Sequence, residues 1–156
     1  MVIIINNIKM RIIALLIILF TLYSCKKNYS VDLINKKNNK NILRVSLKDS
    51  DKITVKDLSG NIEFYFIKKQ GEFYVSDSKF SINNDSALWL SNIRNYHISK
   101  GNNRKGSDFI IKKINNSYIS SFIYWDEYTR NNIEYYYNNN YEITKIVINS
   151  DIYSVE

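Results

Sequence analysis

Residues 108–125 read DFIIKKINNSYISSFIYW, and the parsing of this stretch decides the fold. Asp108–Ile114 and Tyr118–Trp125 are rich in Ile, Phe, Tyr and Trp, which pack well on a pleated surface. Between them stand Asn115, Asn116 and Ser117, and asparagine tolerates the left-handed backbone of a tight turn. The stretch predicts two antiparallel strands and a hairpin.

The same style runs outward in both directions. Downstream, IEYYY (133–137) and YEITKIVIN (141–149) form two more strands around the turn Asn138–Asn140, and 151–155 adds a last one. Upstream, Ile53 and Val55 alternate with Lys52, Thr54 and Lys56, the period of a half-buried strand. IEFYFIK (62–68) and EFYVSD (72–77) follow, separated by Gln70-Gly71. Several runs are apolar on both faces, which favours a sheet covered on both sides or closed on itself. The expected fold is mainly β: an antiparallel meander forming a small sandwich or barrel-like sheet. One helix is expected around 85–100, where Leu88/Trp89, Ile93 and Tyr96/His97 fall at helical spacing between Asp85 and Gly101, a capping residue at each end. Strand 82–90 competes with it.

With 156 residues the chain allows one domain. The formal charge is +7, but its placement matters more. Lys26, Lys27, Lys36, Lys37 and Lys40 stand against Asp32 alone in residues 26–41, whereas 15 basic residues nearly balance 14 acidic ones from Ile42 onward. A nucleic-acid binder carries its basic excess on the folded domain, so nucleic acid is not an expected partner.

Ile12–Leu22 is an apolar run of 11 residues behind Arg11. A spanning helix needs about 20, whereas a secretory signal core needs about 7–15 behind a basic residue. The run ends in Leu22-Tyr23-Ser24-Cys25-Lys26-Lys27, around the one cysteine of the chain. Residues 10–25 resemble the lipobox-type signal peptide of bacterial lipoproteins: Leu22 lies three before the cysteine and the small Ser24 directly before it. The resemblance implies a diacylglyceryl thioether on Cys25, cleavage between Ser24 and Cys25, and acylation of the new terminus. Lys26 is not the aspartate that retains enterobacterial lipoproteins at the inner membrane, which favours an outer-membrane anchor facing the periplasm. Met10-Arg11 begins a complete short signal peptide, so Met10 is a candidate start. The expected organisation is a signal peptide at 1–24, a lipidated basic tether at 25–41 and a single β-rich domain at 42–156.

Chemistry-bearing motifs are few. His97 is the single histidine and cannot build a His-rich zinc site. Neither a Gly-x-Ser-x-Gly elbow nor a phosphate or dinucleotide loop occurs. No catalytic residue, metal ligand or cofactor is assigned. The candidate binding surface is Tyr124, Trp125, Asp126, Glu127, Tyr128, Glu134 and Tyr136, where aromatics stand beside carboxylates. Aromatics anchor sugars and protein interfaces; the competing reading is ordinary cross-strand aromatic pairing. A charge contrast accompanies this surface, with 100–113 basic and 126–142 acidic. The expected function is a membrane-anchored, non-enzymatic binding module of the cell envelope with a protein or glycan partner. The alternative is a carbohydrate-active enzyme using Asp126, Glu127 or Glu134, which requires two carboxyl groups about 5–10 Å apart.

Overall fold

The structure, a computed structural model, describes residues 28–58, 63–75 and 88–155. All regular structure among the described residues is β-strand. The first six strands are β1 (Tyr29–Asn35), β2 (Ile42–Lys48), β3 (Lys52–Asp57), β4 (Glu63–Lys69), β5 (Glu72–Val75) and β6 (Leu88–Leu90). The second six are β7 (Tyr96–Gly101), β8 (Gly106–Ile114), β9 (Ser117–Trp125), β10 (Arg130–Asn138), β11 (Ile143–Ile148) and β12 (Asp151–Ser154).

Both halves are antiparallel meanders. They join where β1 pairs β12, giving one sheet in the order β6-β5-β4-β3-β2-β1-β12-β11-β10-β9-β8-β7. The β1–β12 seam is short, with Ile34 opposite Ser154 and Asn35 opposite Tyr153. Side chains alternate across a strand, so most strands bury one row: Leu43, Val45 and Leu47 on β2, Tyr135 and Tyr137 on β10. The sheet curls so that these rows meet. Phe66 of β4 packs edge-on against Tyr135 of β10 with centroids 5.5 Å apart. Trp89 of β6 lies 5.6 Å from Phe109 and 5.2 Å from Phe122 on β8 and β9. The result is a curled half-barrel open between β6 and β7, rather than a sandwich.

The turns follow local backbone chemistry. Asp49 and Ser50 (φ 53° and 59°), Gln70 and Gly71 (φ 52° and 87°) and Asn115 (φ 55°) take left-handed conformations, the geometry that tight hairpins demand. At 138–141 the left-handed residue is Tyr141 (φ 61°), not an asparagine; Asn138 instead accepts from Asn140 N and Glu142 N through Oδ1. Turns 49–51, 70–71, 115–116 and 139–142 share one end of the sheet with Tyr29. Turns 36–41, 102–105, 126–129 and 149–150 share the other.

Two expectations are corrected. The helix at 85–100 is absent among its described residues. Leu88–Leu90 forms β6, Ser91–Asn95 a loop and Tyr96–Gly101 β7. Leu88, Trp89 and Leu90 are all buried, because β6 lies inside the curl, where neither face meets solvent. Ser91 Oγ accepts from Ile93 N (3.1 Å), a local bond that competes with helix formation. Ile93, placed on the predicted apolar stripe, is 64% exposed.

The second correction concerns the tether. Tyr29–Asn35 is not a spacer but a central strand, paired along its length with β2. Tyr29, Val31 and Leu33 point inward, while Ser30 and Asp32 meet Ser46 and Arg44 on the outer face. Lys36, Lys37 and Lys40 belong to the β1–β2 connection, held by Asn35 Oδ1 accepting from Lys37 N (2.8 Å) and Asn38 N (3.1 Å). The folded unit therefore begins by Tyr29, not Ile42. The expected signal peptide at 1–24, the candidate start Met10, and Ser24 and Cys25 lie outside the described residues.

Candidate functional site

The β9–β10 connection is built by one carboxylate. Asp126 Oδ1 accepts from Tyr128 N (2.9 Å), Thr129 N (2.7 Å) and Thr129 Oγ1 (3.0 Å). The bonds from Tyr128 and Thr129 hold the Asp126 carboxyl below the usual aspartate range. This turn leaves Tyr128 projecting from its tip, 91% exposed.

Beside the turn, register assembles a cleft of about 550 Å³. Trp125 stands opposite both Arg130 and Gly106, and Asp108 opposite Ile123. A Cβ at Gly106 would stand 2.5 Å from the Trp125 ring, so only glycine lets the indole lie flat across β8. Trp125 Nε1 donates to Asn102 O (3.2 Å), fixing the ring. Glu127 faces Arg104 at 3.7 Å, and Asp108 holds His97 Nε2 at 2.7 Å. The arrangement is an aromatic wall and an exposed phenol bordered by carboxylates, a hydroxyl and a guanidinium.

Of the predicted surface, Trp125, Asp126, Glu127 and Tyr128 converge on this cleft. Tyr124 projects from the opposite face of β9, 39% exposed. Glu134 and Tyr136 lie elsewhere, on the outer face of β10. Tyr136 OH donates to Glu134 Oε2 (2.8 Å), Asn132 Nδ2 donates to Oε1 (3.1 Å), and the Lys145 ammonium sits 3.4 Å above the Tyr136 ring. Burial and the Glu134 carboxylate push the Tyr136 phenol up to about 12. Glu134 is four residues along β10 from Arg130, about 14 Å at 3.4 Å per residue. It does not complete a glycosidase pair with Asp126 or Glu127, and Asp126 is committed to its turn.

Sequence reasoning missed Asp108, Ile123, Thr129 and Arg130 as cleft residues. Only Arg130 and Thr129, near the aromatic stretch, carried a local signal; Asp108 arrives through strand register. His97 lies on β7, hydrogen-bonded to Asp108, not on a helix. Among the described residues no group of three or more His, Cys, Asp or Glu is placed to hold a metal ion. No family model, no curated protein and no solved structure matches this chain, so its site is read from its own geometry.

Proposed function

We propose that this chain is a lipoprotein of the bacterial cell envelope, anchored through Cys25, whose β domain is a non-enzymatic binding module. The observation that carries the binding role is the cleft of Trp125, Tyr128, Glu127 and Arg130. An indole wall edged by hydrogen-bonding groups suits a saccharide, which offers apolar ring faces and polar rims. The cleft also lies at the end of the sheet opposite Tyr29. Nine residues of β10 separate the two ends, about 27 Å, so an anchor before Tyr29 leaves the cleft facing away from the membrane. An outer-membrane location facing the periplasm follows from Lys26 after the cysteine.

The test is a panel of envelope glycans titrated against the purified chain with tryptophan emission as readout. The sequence has two tryptophans, and Trp89 is buried, so Trp125 reports on the cleft. A saccharide is expected to shift the emission without being cleaved, and Trp125→Ala, which removes the reporter and is read by calorimetry, to weaken binding at least tenfold, about 1.4 kcal/mol. Turnover of a glycan that Glu127→Gln abolishes would establish the enzymatic alternative instead. The anchor is tested separately: Cys25→Ala is expected to abolish lipid labelling and release the protein from the detergent phase.

A further inference from the structure

The inference concerns the other end of the sheet and rests on lipidation of Cys25. We propose that the loops beside the start of β1 lie directly on an anionic lipid surface, with Ile93 and Ile114 at headgroup level.

The first argument is reach. Only Lys26, Lys27 and Asn28 separate Cys25 from Tyr29. Four residue steps extend at most about 14 Å, and the headgroup layer itself occupies roughly 5–7 Å of that. The start of β1 is therefore held within about a Debye length of the lipid phosphates. A sixteen-residue spacer would have removed this constraint; the strand pairing of Tyr29–Asn35 imposes it.

The second is rigidity. Tyr29 OH donates to Tyr141 O (3.3 Å) and accepts from Ile143 N (2.8 Å). Tyr141 OH reaches Gly71 O (2.8 Å) and accepts from Asn92 N (3.1 Å). Asn95 Oδ1 accepts from Lys113 N (3.0 Å). These bonds tie the β4–β5, β6–β7 and β8–β9 connections to the strand that carries the anchor. Whatever surface holds the anchor meets these loops.

The third is chemistry. Ile93 in the β6–β7 loop is 64% exposed, and Ile114 at the end of β8 is 47% exposed. The same three connections and their flanking strand ends carry Lys68, Lys69, Arg94, Lys112 and Lys113, and their one acid, Glu72, is buried and held by Arg94. Exposed apolar side chains among long cationic ones suit the boundary between acyl chains and phosphates. Of the neighbouring turns, 49–51 sets Asp49 and Asp51 against Lys48 and Lys52, and 139–142 brings Glu142, which accepts from Asn138; neither adds positive charge, so contact centres on the other three loops. The opposite end sets Lys36, Lys37, Lys40, Arg104, Lys105 and Arg130 beside Asp108, Asp126 and Glu127, so charge alone does not choose between the ends; the short reach from Cys25 does.

The experiment uses the full-length protein purified from membranes, with one added cysteine at position 93, 114 or 128 carrying an environment-sensitive fluorophore. It is reconstituted in phosphatidylethanolamine–phosphatidylglycerol vesicles containing a headgroup quencher. A thioether at Cys25 leaves the added cysteine as the one free thiol. Quenching several-fold stronger at 93 and 114 than at 128 is expected. It should fall when phosphatidylcholine replaces phosphatidylglycerol, and when K112E and K113E are introduced together. Equal quenching at the three positions, strongest quenching at 128, or indifference to anionic lipid overturns the proposal. Labelling of the parent protein at Cys25 overturns the lipidation on which it rests, and is told apart by requiring no added cysteine.

Discussion

The two ends of the sheet use the same residue type in opposite ways. At the end where β1 begins, tyrosine is a fastener. Tyr137 OH donates to Ser91 O (2.8 Å) and accepts from Ser91 N (3.0 Å). Tyr118 OH donates to Asn92 O (3.0 Å), and the Tyr137 ring stacks between Tyr118 and Tyr141 at 5.6 and 5.8 Å. Each phenol supplies a partner for backbone that would otherwise be buried unsatisfied. At the far end, Asp126 and Asn102 satisfy their own turns from within, and Tyr128 is left to solvent. One end is cross-linked by buried tyrosine phenols, and the other is built of turns held mainly by their own side chains and linked at the surface by Trp125 Nε1 to Asn102 O and Lys37 to Asp151. A surface free of structural duty is the one able to contact a ligand without unfolding anything.

The comparison breaks first at Tyr137. Tyr137→Phe keeps the ring stack but strands both Ser91 backbone groups, and is expected to cost roughly 2–4 kcal/mol, read as a lower denaturant midpoint with unchanged slope. Next comes Glu72, whose carboxylate takes a bidentate pair from Arg94 at 3.0 and 2.9 Å. Burial raises its pKa, but hydrogen bonds from Ser91, Arg94 and Tyr74 together with the Arg94 charge outweigh burial and hold it below 4.5. A depressed folded value means the stabilisation is present above the unfolded pKa and is lost as pH falls through the folded one. Glu72→Gln is therefore expected to cost roughly 1–3 kcal/mol at neutral pH, with the difference from the parent closing below about pH 4.

Tyr29 gives the alkaline counterpart. Burial pushes its phenol up to about 12 from 10.0, so its contribution is complete below pH 10 and is lost as pH rises through about 12. Tyr29→Phe should cost roughly 1 kcal/mol at neutral pH and flatten the alkaline limb of a stability–pH curve. The smallest effect belongs to the far end. Tyr128→Ala is expected to change stability by less than about 0.5 kcal/mol while weakening any glycan that shifts Trp125 emission. A large stability loss there would erase the contrast between the ends.

The hairpin at 108–125 was legible because its turn, its strand formers and its boundaries are all local. Asn115 adopts the left-handed backbone that its chemistry permits. The cluster at Trp125–Tyr128 was legible for the same reason, as contiguous residues on one turn. Glu134 and Tyr136 were grouped with it by proximity in sequence, but a strand carries them about 14 and 20 Å away. Asp108 entered the site only through its pairing with Ile123, a relation between strands that no single segment encodes.

What the sequence by itself determined is the β class, most of the strands and the turn that bears the exposed aromatics, because period two, strand propensity and turn residues act over a few residues. The tertiary structure decided that β1 is a strand at all. Its alternation of Tyr29, Val31 and Leu33 is short and flanked by Lys26, Lys27, Lys36 and Lys37, and it is held between β2 and β12. It also decided that Leu88–Leu90 extends rather than coils, since burial inside the curl and pairing with β5 override a helical spacing. Both outcomes depend on pairing with other strands, β2 and the distant β12 for β1 and β5 for β6, and such pairing energy is absent from a strand's own window.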